Sequence, residues 1–157
     1  MPEPIYAYFD GIEGSNTQEG REGAVQILSM DHTVEIPVDV KDATATGTRR
    51  HGGIKLIANV DKATPLLYEC VTRSKTIPTV RLEYWQTDES GTQVNYYTVN
   101  LEKVRIIKAQ NWFPNVDDSP TSTYKHMMTY ELRYDKIEWL FTDGNLAWSD
   151  EWKKPNV

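Results

Sequence analysis

Three histidines, His32, His51 and His126, are the side chains in this chain best suited to binding a metal ion. Imidazole zinc sites usually show short, regular ligand spacings, and these three lie far apart with no such spacing. Two carboxylate pairs, Asp10 with Glu13 and Asp117 with Asp118, have the composition of a glycosidase pair or of calcium ligands. Each pair falls in a Gly- or Pro-rich turn, where Asp is common because it hydrogen-bonds its own backbone. Cys70, the single cysteine, falls on the apolar stripe of a helix, the place of a small buried hydrophobe rather than a nucleophile. No Gly-rich phosphate loop, H-E-x-x-H, C-x-x-C or G-x-S-x-G elbow occurs. Five Trp and nine Tyr could stack sugars or bases, but they equally suit strands and interfaces. Trp112 beside Phe113, and Trp148 and Trp152 near the end, are the aromatics placed to meet a partner. These residues point away from catalysis, and no cofactor is implied.

The elements that carry them are mostly strands. Ile54, Leu56 and Ala58 alternate along a strand that runs straight into the one convincing helix, about 61–74. Asp61 offers a capping oxygen there, and Pro65 falls in the first helical turn or two, where a missing N–H costs least. Leu66, Leu67, Cys70 and Val71 form its apolar stripe. Before this pair come a strand at Ile5–Phe9, a turn-rich segment at 10–23 and a second strand over 24–38. The connection at 39–53 is small, polar and aperiodic, and uncommonly long for a compact domain, which marks it as a functional loop or a mobile surface one. After the helix, Val80, Leu82 and Tyr84 alternate in a strand that turns at 88–91 into a hairpin partner over 93–110. A loop over 114–123 leads to a last long strand from about Tyr124 to Phe141.

Both of the long C-terminal strands slip phase midway, from Leu101 to Val104 and from Tyr134 to Ile137. Side chains alternate with period two, so an odd step marks a bulge or a change of buried face. Such strands suit a closed barrel or a sandwich whose strands bend between sheets. The fold class is therefore mainly β: a compact β-barrel or two-sheet sandwich of long bent strands, with one helix and one long extended loop, in a single domain over 1–157.

With 17 basic and 23 acidic residues, the net charge of −6 provides no basic face for nucleic acid. No apolar run approaches membrane-spanning length, and the N-terminus MPEPIYAYF lacks the basic start of a secretion signal. The expectation is a chain that begins in the cytoplasm.

Several segments, in order, resemble the Hcp family, the haemolysin-coregulated proteins of the bacterial type VI secretion system. They are IYAYFDGIEG at 5–14, VQILSMDH at 25–32 and the loop over 39–53. Asp61, Lys62, Ala63, Thr64 and Pro65 follow, opening the helix, then NYYTVNLEKVRI at 95–106, YELRYDKIEWLF at 130–141, and Asp150, Glu151 and Trp152. The resemblance implies a β-barrel of two sheets with one flanking helix, six copies of which form a ring with a wide channel. Rings stack into a tube that a contractile sheath fires, spike first, and the lumen can hold effector proteins. It further implies export through the apparatus without a cleaved signal peptide, and no catalysis. By the same resemblance, Thr46, Gly47, Thr48, Arg49 and Arg50 near the loop tip would touch a neighbouring subunit or ring. Ser29 and Asp31 would face the lumen, and Leu66 and Cys70 would seat the helix on the barrel. The alternatives from the residues alone are a monomeric carbohydrate-binding β-sandwich using exposed Trp and Tyr, and an enzyme built from dispersed carboxylates.

Overall fold

The computed structural model describes residues 5–115, 117 and 125–151. Its elements are β1 Ile5–Phe9, β2 Val25–Asp31, β3 Val34–Glu35, β4 Arg50–His51, β5 Ile54–Asn59, α1 Thr64–Thr72, β6 Thr76–Thr87, β7 Gln93–Trp112, β8 Met127–Arg133, β9 Lys136–Phe141 and β10 Leu146–Glu151. The main sheet runs β10-β9-β7-β6-β1-β2-β5-β8, and β8 also pairs with β7. Six strands, β7-β6-β1-β2-β5-β8, thus close into an antiparallel barrel, and β9 and β10 extend the sheet beyond it. Closure removes the edges that such apolar strands would otherwise leave open.

Period-two alternation fills the interior. Val25 and Ile27 of β2, Ile54, Leu56 and Ala58 of β5, Val80 and Leu82 of β6, and Val99 and Leu101 of β7 are all buried there. β7 is twenty residues long and changes partner along one edge: 97–102 pair with β9 and 105–112 with β8. Lys103 sits between the two halves at φ 53°, in the left-handed region, and accounts for the phase slip between Leu101 and Val104. The last long strand breaks opposite this kink, at Tyr134 and Asp135, into β8 and β9. Its expected start at Tyr124 lies outside the described residues. The second strand is likewise shorter than its apolar run, since it ends at Asp31 and Val34–Glu35 belongs to a separate two-stranded ladder with β4. Two strands were not anticipated: β4, which falls within the expected loop over 39–53, and β10, which folds back on β9 through the turn at Thr142–Asn145.

The helix is tighter than 61–74. Asp61 and Thr64 bond each other reciprocally: Asp61 N–H donates to Thr64 Oγ1 at 3.0 Å, and Thr64 N–H to Asp61 O at 3.1 Å. This turn keeps 61–63 outside the helix, while Asp61 Oδ1 accepts from Ala63 N–H. Pro65 stands at the start of the helix, as its missing donor requires. The buried face is Thr64, Leu67 and Cys70, and Leu66 is 43% exposed. The expected seat on Leu66 is therefore corrected to Leu67. Adjacent helical residues point about 100° apart, so only one of the two leucines can face β7, against which α1 packs. No helix among the described residues is long and apolar enough to cross a membrane.

Candidate functional site

The segment between β2 and β5 is not a structureless loop but a projecting hairpin arm. Below its tip, Val38 bridges Ala45, Thr46 N–H donates to Pro37 O, and Asp39 N–H donates to Thr44 O. Ala43 turns the tip at φ 56°, and Asp39 Oδ1 accepts from Lys41 N–H. The tip is thus 39–44. Thr46, Gly47, Thr48, Arg49 and Arg50 lie on the returning limb, so their expected place near the tip is corrected by this pairing. Val34, Ile36 and Val38 are each about half exposed, and Val40 is 97% exposed. At two-residue spacing, Val34, Ile36 and Val38 make an apolar row along one limb of the arm, and Val40 stands in the tip beyond them.

At the base of the arm, residues from five parts of the chain converge. His51 of β4 and His32, just after β2, both bond the Tyr134 hydroxyl, through Nδ1 at 2.6 Å and Nε2 at 2.7 Å respectively. His51 Nε2 donates to Asp150 Oδ2 of β10 at 2.7 Å. The Arg49 guanidinium grips both oxygens of Asp150 and also donates to Glu151 O. Arg133 Nη1 donates to His51 O, and the Trp139 ring stacks near both imidazoles. The cluster is sheltered: the side chain of His51 is 4% exposed, Arg49 17% and Asp150 21%. Hydrogen bonds from Arg49 hold the Asp150 carboxyl below the usual carboxylate range, against its partial burial. Burial pushes the Tyr134 phenol up, and Asp150 adds to the push. Burial first, and His51 second, lower the pKa of His32.

Of the three candidate zinc ligands, two therefore meet, on either side of the Tyr134 hydroxyl. His126 lies elsewhere, against Asn111 and Phe113. Among the described residues no group of three His, Cys, Asp or Glu is disposed to hold a metal ion. Asp10 and Glu13 do not form a convergent pair: Asp10 is in an exposed turn, and Glu13 reaches Lys62 at 3.7 Å. Asp117 is exposed, and Asp118 and Trp152 lie outside the described residues. Among the described tryptophans only Trp148 is exposed, at 72%, and every described tyrosine is at least partly buried, so the described Trp and Tyr make no open row for sugar stacking.

Ser29 and Asp31 are both exposed on β2, opposite Ile57 and Lys55 of β5. Ser29 borders a surface cavity of about 460 Å³ together with Leu28, Ile57, Trp112 and Met127. A second apolar patch lies on β9–β10, where Leu146 stands opposite Phe141 and Trp148 opposite Trp139. Asp61 to Pro65 serve as a fastening. Asp61 Oδ2 accepts from Ser15 N–H, Lys62 N–H donates to Ser15 Oγ, and the buried Tyr130 hydroxyl reaches Thr64 Oγ1 at 3.4 Å. This ties the helix start to the β1–β2 turn. Cys70 is buried, and desolvation raises its thiol pKa. A residue not singled out from the sequence is Arg21, buried with its guanidinium between the rings of Tyr6 and Trp85.

The structure is thus a closed antiparallel barrel, with one short helix fastened to its first turn and a hairpin arm tied to the added β9–β10 pair. The family model described as "Type VI secretion system effector, Hcp" matches residues 6–141, and the chain belongs to the Hcp family. The "Major exported protein" of Pseudomonas aeruginosa is 30% identical over 95% of this chain and 87% of its own length. A double mutant of Hcp1 from the E. coli EAEC 042 pathovar is 30% identical with TM-score 0.83, covering 97% of this chain and 99% of its own. A further crystal structure of an Hcp protein, 25% identical, has TM-score 0.85 over 97% of this chain and 99% of its own.

Proposed function

We propose that this chain is a structural subunit of the type VI inner tube. Six copies close into a ring around a channel, rings stack, and the lumen carries effector proteins. It acts by assembly, with copies of itself, the sheath, the spike and the cargo as partners. The whole of 1–157 acts as one unit. It starts in the cytoplasm and leaves through the apparatus.

The observation that carries this reading is the arm. Val34, Ile36 and Val38 stand in a row, with Val40 beyond them in the tip, on a hairpin that projects from the barrel, without a core beneath them. Exposed apolar rows of this kind mark protein interaction sites. A ring requires head-to-tail contact, one patch meeting a different one on the next copy. The arm supplies one side of such a contact, and Thr46, Gly47, Thr48 and Arg50 flank it. Arg49 contributes differently, by fixing the limb to β10. The β9–β10 patch of Phe141, Leu146 and Trp148 is a suitable apolar counterpart. Ser29 and Asp31 belong to the lumen wall in this reading, beside the Trp112 cavity.

Sedimentation velocity and negative-stain microscopy of the purified chain test the proposal. Rings of six protomers are expected. A strictly monomeric species at high concentration would sink it.

A further inference from the structure

We infer that the concave face centred on Trp112 is a docking site for an acidic polypeptide segment that carries one bulky apolar side chain.

Two cavities make up this face. One, of about 630 Å³, lies over β5, β8 and the second half of β7, with Lys55, Lys108 and Glu131 on its walls. The other, of about 460 Å³, is the cavity beside Ser29 described above, walled by Leu28, Met127 and Lys125. Trp112 and Ile57 line both, so the two join into one trough across four neighbouring strands, β2, β5, β8 and β7. Each volume falls in the range of about 300–1,000 Å³ that ligand pockets occupy.

The strands build this trough for contact. Plain alternation would turn Ser29 inward after the outward Leu28, but the register shift between Ile27 and Ser29 leaves both on the surface. An apolar and a polar side chain thus stand side by side at the rim. Trp112 is half-buried, and its indole N–H donates to Thr129 Oγ1 at 3.0 Å. With its one polar atom satisfied and its ring held against β8, it is a rigid anchor of the kind that dominates protein interfaces. Ser29 and Asn59 offer hydrogen bonds to a backbone laid beside it.

Charge selects the occupant. The charged residues lining the trough are Lys55, Lys108, Lys125 and Glu131, three cations against one carboxylate, on a chain of net charge −6. Among the described residues, none of the three lysines forms an ion pair. Unpaired ammonium groups around an apolar floor favour carboxylates on either side of a buried side chain. A single nucleic-acid strand could also use lysine and tryptophan, but it would approach against the net negative charge of the whole chain. For cargo the consequence rests on the lumen reading above: the trough would lie on the channel wall and select acidic passengers.

The test uses the full chain grown on 5-fluorotryptophan, whose five indoles give fluorine NMR lines assigned by single Trp→Phe variants. The probe is the acetylated, amidated pentapeptide Glu-Glu-Phe-Glu-Glu, titrated to about 5 mM, where even a millimolar affinity registers. The Trp112 line should shift and saturate, while Trp85, stacked on Arg21 outside the trough, should stay still. Replacing Phe by Ala in the peptide should weaken binding about tenfold or more, the worth of one buried aromatic side chain. Replacing each Glu by Lys should abolish the shift. Lys55→Glu combined with Lys108→Glu, both at exposed positions, should abolish it too. The peptide comparisons on wild type decide the matter even if that variant melts early. An unmoved Trp112 line, an equal response to the lysine peptide or to oligothymidylate, or unchanged affinity in a folded double variant overturns the inference. So does a Trp112 line that moves with protein concentration alone, because a second copy then covers the trough. Fluorine lines can be read for a single subunit and for a ring, so the two readings fail separately. Peptide binding to a strict monomer refutes only the tube, and a ring that ignores the peptide refutes only the docking site.

Discussion

Substituting Val40→Ser separates folding from assembly at one position. Val40 is 97% exposed in the isolated subunit, so the change removes almost no burial there and should alter stability by less than about 0.5 kcal/mol. If the arm tip docks on a neighbour, the same side chain becomes buried, and its loss costs about 1.5 kcal/mol at each contact. In a closed hexamer every contact carries the change, for a total near 9 kcal/mol per ring. Ring formation depends steeply on free subunit concentration, so this shifts the assembly midpoint by about twentyfold. Sedimentation velocity over a dilution series reads the midpoint, and a thermal melt reads the subunit. A shift under about threefold with an unchanged melt refutes the docking of Val40. A melt lowered by several degrees means instead that the tip is packed within its own subunit.

Three further expectations concern the subunit alone. Leu67→Ala should cost about 2–5 kcal/mol as a cavity between α1 and β7, whereas Leu66→Ala, half in water, should cost under about 1 kcal/mol; urea unfolding of the two variants decides. Gly14→Ala should destabilise by more than about 2 kcal/mol, because a Cβ there would meet the Ala24 carbonyl oxygen without room to move; the melting temperature should fall by several degrees. Asp150→Asn should cost about 1.5–3 kcal/mol by leaving Arg49 and His51 short of their charged acceptor. A carboxyl held below its ordinary range stabilises the fold above about pH 4 and loses that contribution as pH falls further, so wild type and variant should converge in strong acid.

What could be seen in the amino-acid order was whatever a local period encodes. The β5 strand shows alternation at Ile54, Leu56 and Ala58, and the Pro65 helix start carries its own chemistry, so both are found where the residues place them. The Lys103 kink left a trace because a bulge shifts every later side chain by one. The choice between Leu66 and Leu67 left none, since both sit at helical spacing and only the barrel beneath decides which turns inward. β10 did carry a signal: Asp143-Gly144 punctuates the chain, and Leu146, Trp148 and Asp150 alternate after it. The hairpin pairing within the arm escaped notice because a two-residue ladder and a single bridge are too short to impose a period. The histidine cluster was beyond reach for a different reason. Its members come from β4, β10 and the ends of β2 and β8, and only barrel closure brings them together.

The placement of β1 has a kinetic consequence for the newborn chain. β1 lies between β2 and β6, with Ile5 opposite Ile27 on one side and Tyr84 on the other. During synthesis the first pairing can form early, but the opposite edge waits until the ribosome has delivered β6. Throughout that interval Tyr6, Ala7 and Phe9, all later sealed away, present an unfinished template to any passing strand. Such distant pairings place the maturation of a subunit on the slow, millisecond-to-second side of single-domain behaviour. A cell that makes many copies at once would thus do well to shield this nascent edge.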